Sequence, residues 1–185
     1  MEHSAAQPPP APMLAPLFGP APLHPTQQES NDQIGSWLSG AHTQPQVVLH
    51  NWATFGSALL PLGGRFAAVR IPADIVHTAV ESDDDHVIAA VARDTLRGPL
   101  VAGAFGSQRT YWALVPWRPL TYWPDFLTGT PYLGPGHHLT LPALTRFSPP
   151  IPYWIAPPRY RYDLCSVEHV FNLIVRGAAS DLRPD

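Results

Sequence analysis

Apolar residues along the chain switch between helical and strand spacing, and the switches mark out its elements. After Ser30-Asn31-Asp32, the residues Ile34, Trp37 and Leu38 recur with helical spacing, which predicts a short helix ending at Gly40. Val47, Val48, Leu49, Trp52 and Phe55 fit a helix or a strand equally well. Two apolar runs meet at Gly63-Gly64, and this pattern predicts a β-hairpin over residues 58–72. Pro72 and Asp74 then open a helix carrying Ile75, Val76 and Ala79, with a proline and an acid where the helix dipole favours them. Ser82 and the acids 83–85 start another helix along Val87, Ile88, Val91, Ala92 and Leu96, stopped by Gly98-Pro99.

Residues 100–102 and 111–115 read as neighbouring strands across a Gly106-Ser107-Gln108 turn. Beyond Pro116, frequent Pro and Gly leave room only for short strands at 132–133, 138–141 and 153–155. A closing helix capped by Asp163 or Ser166 carries Val167, Val170, Phe171, Ile174 and Val175 and is expected to end at Gly177. This order predicts an α+β fold with a small mixed or mainly antiparallel sheet and flanking helices. No internal repeat is visible.

Composition sharpens the boundaries. The chain has 185 residues, a length that suits one domain. Nine of its 24 prolines fall within the first 45 positions. Residues 1–30 are therefore expected to be a disordered Pro-rich tail, residues 31–180 a single α+β domain, and residues 181–185 a short tail. With 45% hydrophobic and 14% charged residues, the body is too apolar and too weakly charged for general disorder. No apolar run is long enough to span a bilayer, and Met1-Glu2-His3 lacks the basic flank of a secretory signal. A cytoplasmic location without membrane partners is the expectation. A single cysteine, Cys165, allows no internal disulfide.

Every basic residue is an arginine, and the charge is unevenly spread. Residues 1–96 hold 3 Arg and 9 acids, net −6, whereas residues 97–185 hold 8 Arg and 5 acids, net +3. Between positions 100 and 162 there are five Arg, one acid (Asp125), all six Tyr and four of the six Trp. Guanidinium groups interleaved with aromatic rings are what a single-stranded nucleic-acid platform uses, because phosphates attract the former and bases stack on the latter. The candidate binding residues are Arg109, Tyr111, Trp117, Arg118, Arg159 and Arg161. Trp123 and Tyr122 are further stacking candidates, while Trp112 and Trp154 suit the core. The run Arg159-Tyr160-Arg161-Tyr162 alternates as a strand would, which predicts both guanidiniums on one face. A pI near 6.3 limits nucleic-acid binding to a local patch.

Other clusters have simpler explanations. Asp83-Asp84-Asp85 suits a helix start better than a cation site, since consecutive helical side chains diverge. Adjacent His137 and His138 on a strand face opposite sides and do not readily share one ion. Cys165 and His169 have the i, i+4 spacing of a thiol beside a base, but a lone cysteine is usually a small core residue. Gly63-Gly64 serves a turn as well as it would a phosphate. There is no G-x-S-x-G, Walker A or H-E-x-x-H motif, and with no lysine neither a P-loop nor a Schiff base can form.

The ordered segments "LLPLGGRFAAVRIP", "GPLVAG…YWALVP", "YLGPGHHLTLP" and "YWIAPP" resemble the primase/polymerase-like proteins of high-GC bacteria, relatives of the N-terminal domain of bifunctional DNA primase/polymerases. The likeness spans roughly residues 50–175. It implies a primase/polymerase-like fold and, as partners, single-stranded DNA, a nucleotide or a replication protein. Active members hold divalent metals and a nucleoside triphosphate on paired strand acids, a serine and histidine motif and a further acid. Here the corresponding strand reads Arg65 to Ile71 without a carboxylate, and the hairpin from Ser107 to Trp112 keeps the serine without a histidine. The resemblance therefore implies a degenerate active site, with no catalytic residue, metal or cofactor, unless Asp125 or Asp163 converges on the site. Rival expectations are an active nucleotidyltransferase with such relocated ligands, a protein-interaction module, and a hydrolase using Cys165 and His169.

Overall fold

The central strands of this protein are apolar at successive positions, as expected where both faces of a sheet are covered. The computed structural model describes residues 27–118, 123 and 129–180. Its elements are helices α1 (Gln27–Ser39), α2 (Pro45–Phe55), α3 (Ala73–Val80), α4 (Asp85–Val91) and α5 (Val167–Ser180). The strands are β1 (Ser57–Pro61), β2 (Ala67–Pro72), β3 (Leu100–Phe105), β4 (Gln108–Val115), β5 (Tyr132–Leu133), β6 (His138–Pro142) and β7 (Tyr153–Ala156). A π-helical turn, Ala92–Leu96, continues α4. Residues 1–26 of the expected 1–30 tail and the expected tail at 181–185, along with Tyr122 and Asp125, lie outside the described residues, whereas residues 27–30 form the first turn of α1.

The main sheet has the order β5-β2-β4-β3-β7, and β1 and β6 form a second, two-stranded sheet. Among the described residues every pairing is antiparallel. The architecture is thus α+β with antiparallel sheets. Strand β4 shows how one strand serves two cores. Tyr111, Ala113 and Val115 face a core shared with α3, α4 and α5, while Trp112 and Leu114 face another shared with α1, α2, β1 and β6. The indole of Trp52 reinforces the second core by donating to the Leu141 carbonyl at 3.0 Å. No helix among the described residues is long and apolar enough to cross a membrane.

Three local expectations change and one ambiguity is resolved. Residues 58–72 do not form a hairpin: β1 pairs with β6, and β2 lies between β4 and β5. Gly63 does make a tight turn, its N–H donating to Phe66 O at 2.8 Å. Both edges of β2 are already taken, however, so the turn becomes a corner between two sheets, with Phe66 buried inside it. The ambiguous run at 47–55 is helix α2, started by Pro45 and ended by Gly56 at φ 71°. Helix α1 begins at Gln27, ahead of Ser30. Helix α5 runs through Gly177 to Ser180, because this glycine lets α5 approach α3 closely: a Cβ here would come 2.2 Å from the Ile75 carbonyl oxygen.

Candidate nucleic-acid interface

The arginines singled out by sequence separate into two groups. Arg109 projects from β4 into a partly exposed polar cluster. It pairs with Asp85 at the start of α4 and donates to the Tyr153 hydroxyl at 2.9 Å, and that hydroxyl donates to the other Asp85 oxygen at 2.8 Å. Nearby, the Tyr111 hydroxyl and His77 Nε2 share a hydrogen bond of 3.0 Å. Burial works against the Arg109 charge, but Tyr111, Tyr153 and Asp85 together hold its pKa above the usual value. Burial raises the Tyr111 phenol from 10.0 to about 12, and it raises Tyr153 as well, aided by the bond to Asp85. Arg109 and Tyr111 are thereby engaged in joining β4 to α3, α4 and β7. Asp84 caps α4 by accepting from the His86 N–H at 2.7 Å, so two of the three clustered acids have structural partners.

The run from 159 to 162 is a bend, which corrects the strand expected there. Asp163, 1% exposed, accepts from the Arg159 backbone N–H at 2.8 Å, from Nε at 2.9 Å and from Nη2 at 3.0 Å. These bonds raise the Arg159 pKa. An i, i+4 clamp of this kind pulls the chain round on itself, and Tyr162 completes the bend at φ 71°. Arg159 and Arg161 therefore do not share a strand face. Arg159 is engaged, while Arg161 is exposed over the Tyr162 ring.

Beside the bend lies a cleft of about 800 Å³, lined by Arg97, Arg118, Trp123, Tyr160, Phe171 and the start of α5. Its walls are fixed by two backbone hydrogen bonds and one from a side chain. Ser166 N–H donates to Leu96 O at 3.0 Å, Cys165 N–H to Leu114 O at 2.8 Å, and Arg159 Nη2 to Arg97 O at 3.0 Å. Gly98 makes the approach possible, since a Cβ there would lie 2.2 Å from the Cys165 nitrogen. Arg97 occupies the left-handed region at φ 60° as it closes the π-helical turn. Trp123 donates to Thr130 O at 2.8 Å and packs edge-on against Phe171. Neither the Arg97 nor the Arg118 guanidinium makes a hydrogen bond or ion pair with another described residue. Two guanidiniums, set against the Glu168 carboxylate, sit among three aromatic rings at the positive end of the α5 dipole.

Sequence reasoning named Arg118 and Trp123 for this region but missed Arg97, Tyr160 and Phe171 as a group. Arg97 and Phe171 fall outside the 100–162 window, and only the fold brings them to it. Trp117, another expected stacking residue, instead lies half-buried on the Tyr132 ring and against Gly134, where a Cβ would meet it at 2.3 Å. Trp112 and Trp154 are core residues.

The remaining chemical candidates do not assemble. Cys165 is fully buried, its thiol donates to Pro99 O at 3.3 Å, and burial pushes its pKa up. It precedes α5, so it lacks the helical spacing to His169 that a thiol and base pair requires. Both oxygens of Asp163 are held by Arg159. Among the described residues, no group of three or more His, Cys, Asp or Glu is placed to hold a metal ion. No protein-family model, curated protein or solved structure matches the chain.

Proposed function

We propose that this protein binds single-stranded nucleic acid, without joining nucleotides, through the cleft between Arg97, Arg118 and Tyr160, on a divergent primase/polymerase-like fold. The observation that carries the reading is the pairing, in one cleft of about 800 Å³, of guanidiniums that have no partner among the described residues with aromatic rings. Phosphates are drawn to the charges, and Tyr160, exposed on the bend, offers a face to a base. The absence of catalysis rests on the sequence of β2, which carries Arg70 and no carboxylate.

The test is fluorescence anisotropy of a labelled single-stranded oligothymidylate with the full chain. Replacing Arg97 and Arg118 together by alanine should weaken binding about tenfold or more, as expected when hydrogen bonds to charged groups are removed. Tyr160→Ala should cost about 1–3 kcal/mol if one base stacks there. Unchanged affinity in both variants would overturn the assignment. Primer synthesis from nucleoside triphosphates with Mg²⁺ or Mn²⁺ would overturn the non-catalytic part.

A further inference from the structure

A second groove, of about 410 Å³, opens beside the same bend, lined by Asp32, Gln33, Ser36 and Trp37 of α1 together with Arg65 and Arg161. We infer that it is a second phosphodiester subsite, in which a single strand leaving the cleft past Tyr160 places a backbone phosphate between Arg161 and Arg65. The inference rests on the proposed cleft and extends it from one nucleotide to a strand.

Four observations support it. Arg161 follows Tyr160 directly, and the bend that holds them is rigid: Asp163 N–H donates to Tyr160 O at 3.1 Å, and Tyr162 packs edge-on against the buried Trp37 with ring centres 5.4 Å apart. The backbone that carries a stacking ring in one site and a cation in the next is thereby held in shape. Arg65 is fixed too. Its guanidinium lies over Gly40, where a Cβ would come within 2.7 Å of Nη2. Neither guanidinium makes a hydrogen bond or ion pair with another described residue, so both keep their N–H donors for a ligand. The charge balance also fits. Two guanidiniums and the Asp32 carboxylate, which accepts from Gln28 at 2.9 Å, leave one net positive charge, the complement of a phosphodiester.

The test compares deoxythymidine monophosphate with a single-stranded oligothymidylate, each titrated against the full chain. Arg65→Ala with Arg161→Ala should weaken oligonucleotide binding about tenfold while leaving mononucleotide affinity unchanged. Lysine at both positions should recover part of the loss, which separates a charge effect from damage to the fold. If R65A/R161A binds the oligonucleotide like the parent, while alanine at Arg97 and Arg118 weakens both ligands, the groove is not a subsite and the cleft reading stands. If the parent binds neither ligand, or alanine at Arg97 and Arg118 changes nothing, the cleft reading falls and this inference falls with it.

Discussion

Arg109 and Arg118 come from the same arginine-rich and aromatic-rich stretch, yet the fold gives them opposite surroundings. Arg109 meets a carboxylate and a tyrosine hydroxyl that both accept from its Nη2, tying β4 to α4 and β7. Arg118 lines an open cleft and has no such partner among the described residues. Arg159 and Arg161, two positions apart, repeat the contrast: the first is clamped by Asp163, and the second faces a groove. Local charge thus says how many guanidiniums a segment carries. Which of them can hold a ligand depends on the carboxylates that tertiary structure delivers, and Asp85 reaches Arg109 across 24 positions.

The contrast can be broken most strongly at Asp163. Its removal leaves the Arg159 donors without their buried acceptor, and Asp163→Ala should lower stability by about 2 kcal/mol, discounted for the partial exposure of Arg159. Urea denaturation measures this, and a cost near zero would mean that the bend holds without its clamp. A smaller effect is expected at Asp85, since each partner of that pair has 38% of its side chain exposed. Asp85→Asn should cost about 1 kcal/mol or less and leave oligonucleotide affinity unchanged. A gain in affinity would show that Arg109, once freed, belongs to the interface after all.

The smallest effect concerns Tyr111, whose phenol titrates at about 12 rather than 10.0. The folded state then holds a proton that the unfolded state releases above pH 10. Tyr111 should therefore have no influence on the pH dependence of stability below pH 10, and stability should fall between about pH 10 and pH 12. Tyr111→Phe should flatten that part of the profile, as read by thermal melts across the alkaline range. An unchanged profile would mean that the ring environment leaves the phenol at its ordinary value.

Much of the architecture was legible because period and punctuation agreed locally. The alternation of Tyr111 to Val115, the Pro72 and Asp74 start of α3, and the short strands at 132, 138 and 153 all appear where their patterns put them. Failures came where the deciding partner was remote. Gly63-Gly64 correctly marks a turn, but nothing local says that β2 has both edges filled and that β1 must pair with β6. Gly177 has the look of a helix end and instead allows α5 to touch α3. At the interface, the Arg-Tyr alternation of 159–162 concealed the clamp, whose signal was the aspartate four residues after Arg159. Arg65 and Arg97 lay outside the basic window and enter only through the turns that carry them.

If the guanidiniums beside the 159–162 bend that have no partner among the described residues hold a phosphate backbone, binding must release counterions in proportion to the phosphates they neutralise. Salt dependence of single-stranded oligonucleotide affinity reads this directly, for the parent chain and for the Arg97→Ala, Arg118→Ala double variant. The slope of log K against log salt should become shallower by about 1.4 in the variant, about 0.7 for each phosphate no longer neutralised. Parallel slopes for the two proteins would contradict a role for these guanidiniums in holding the strand.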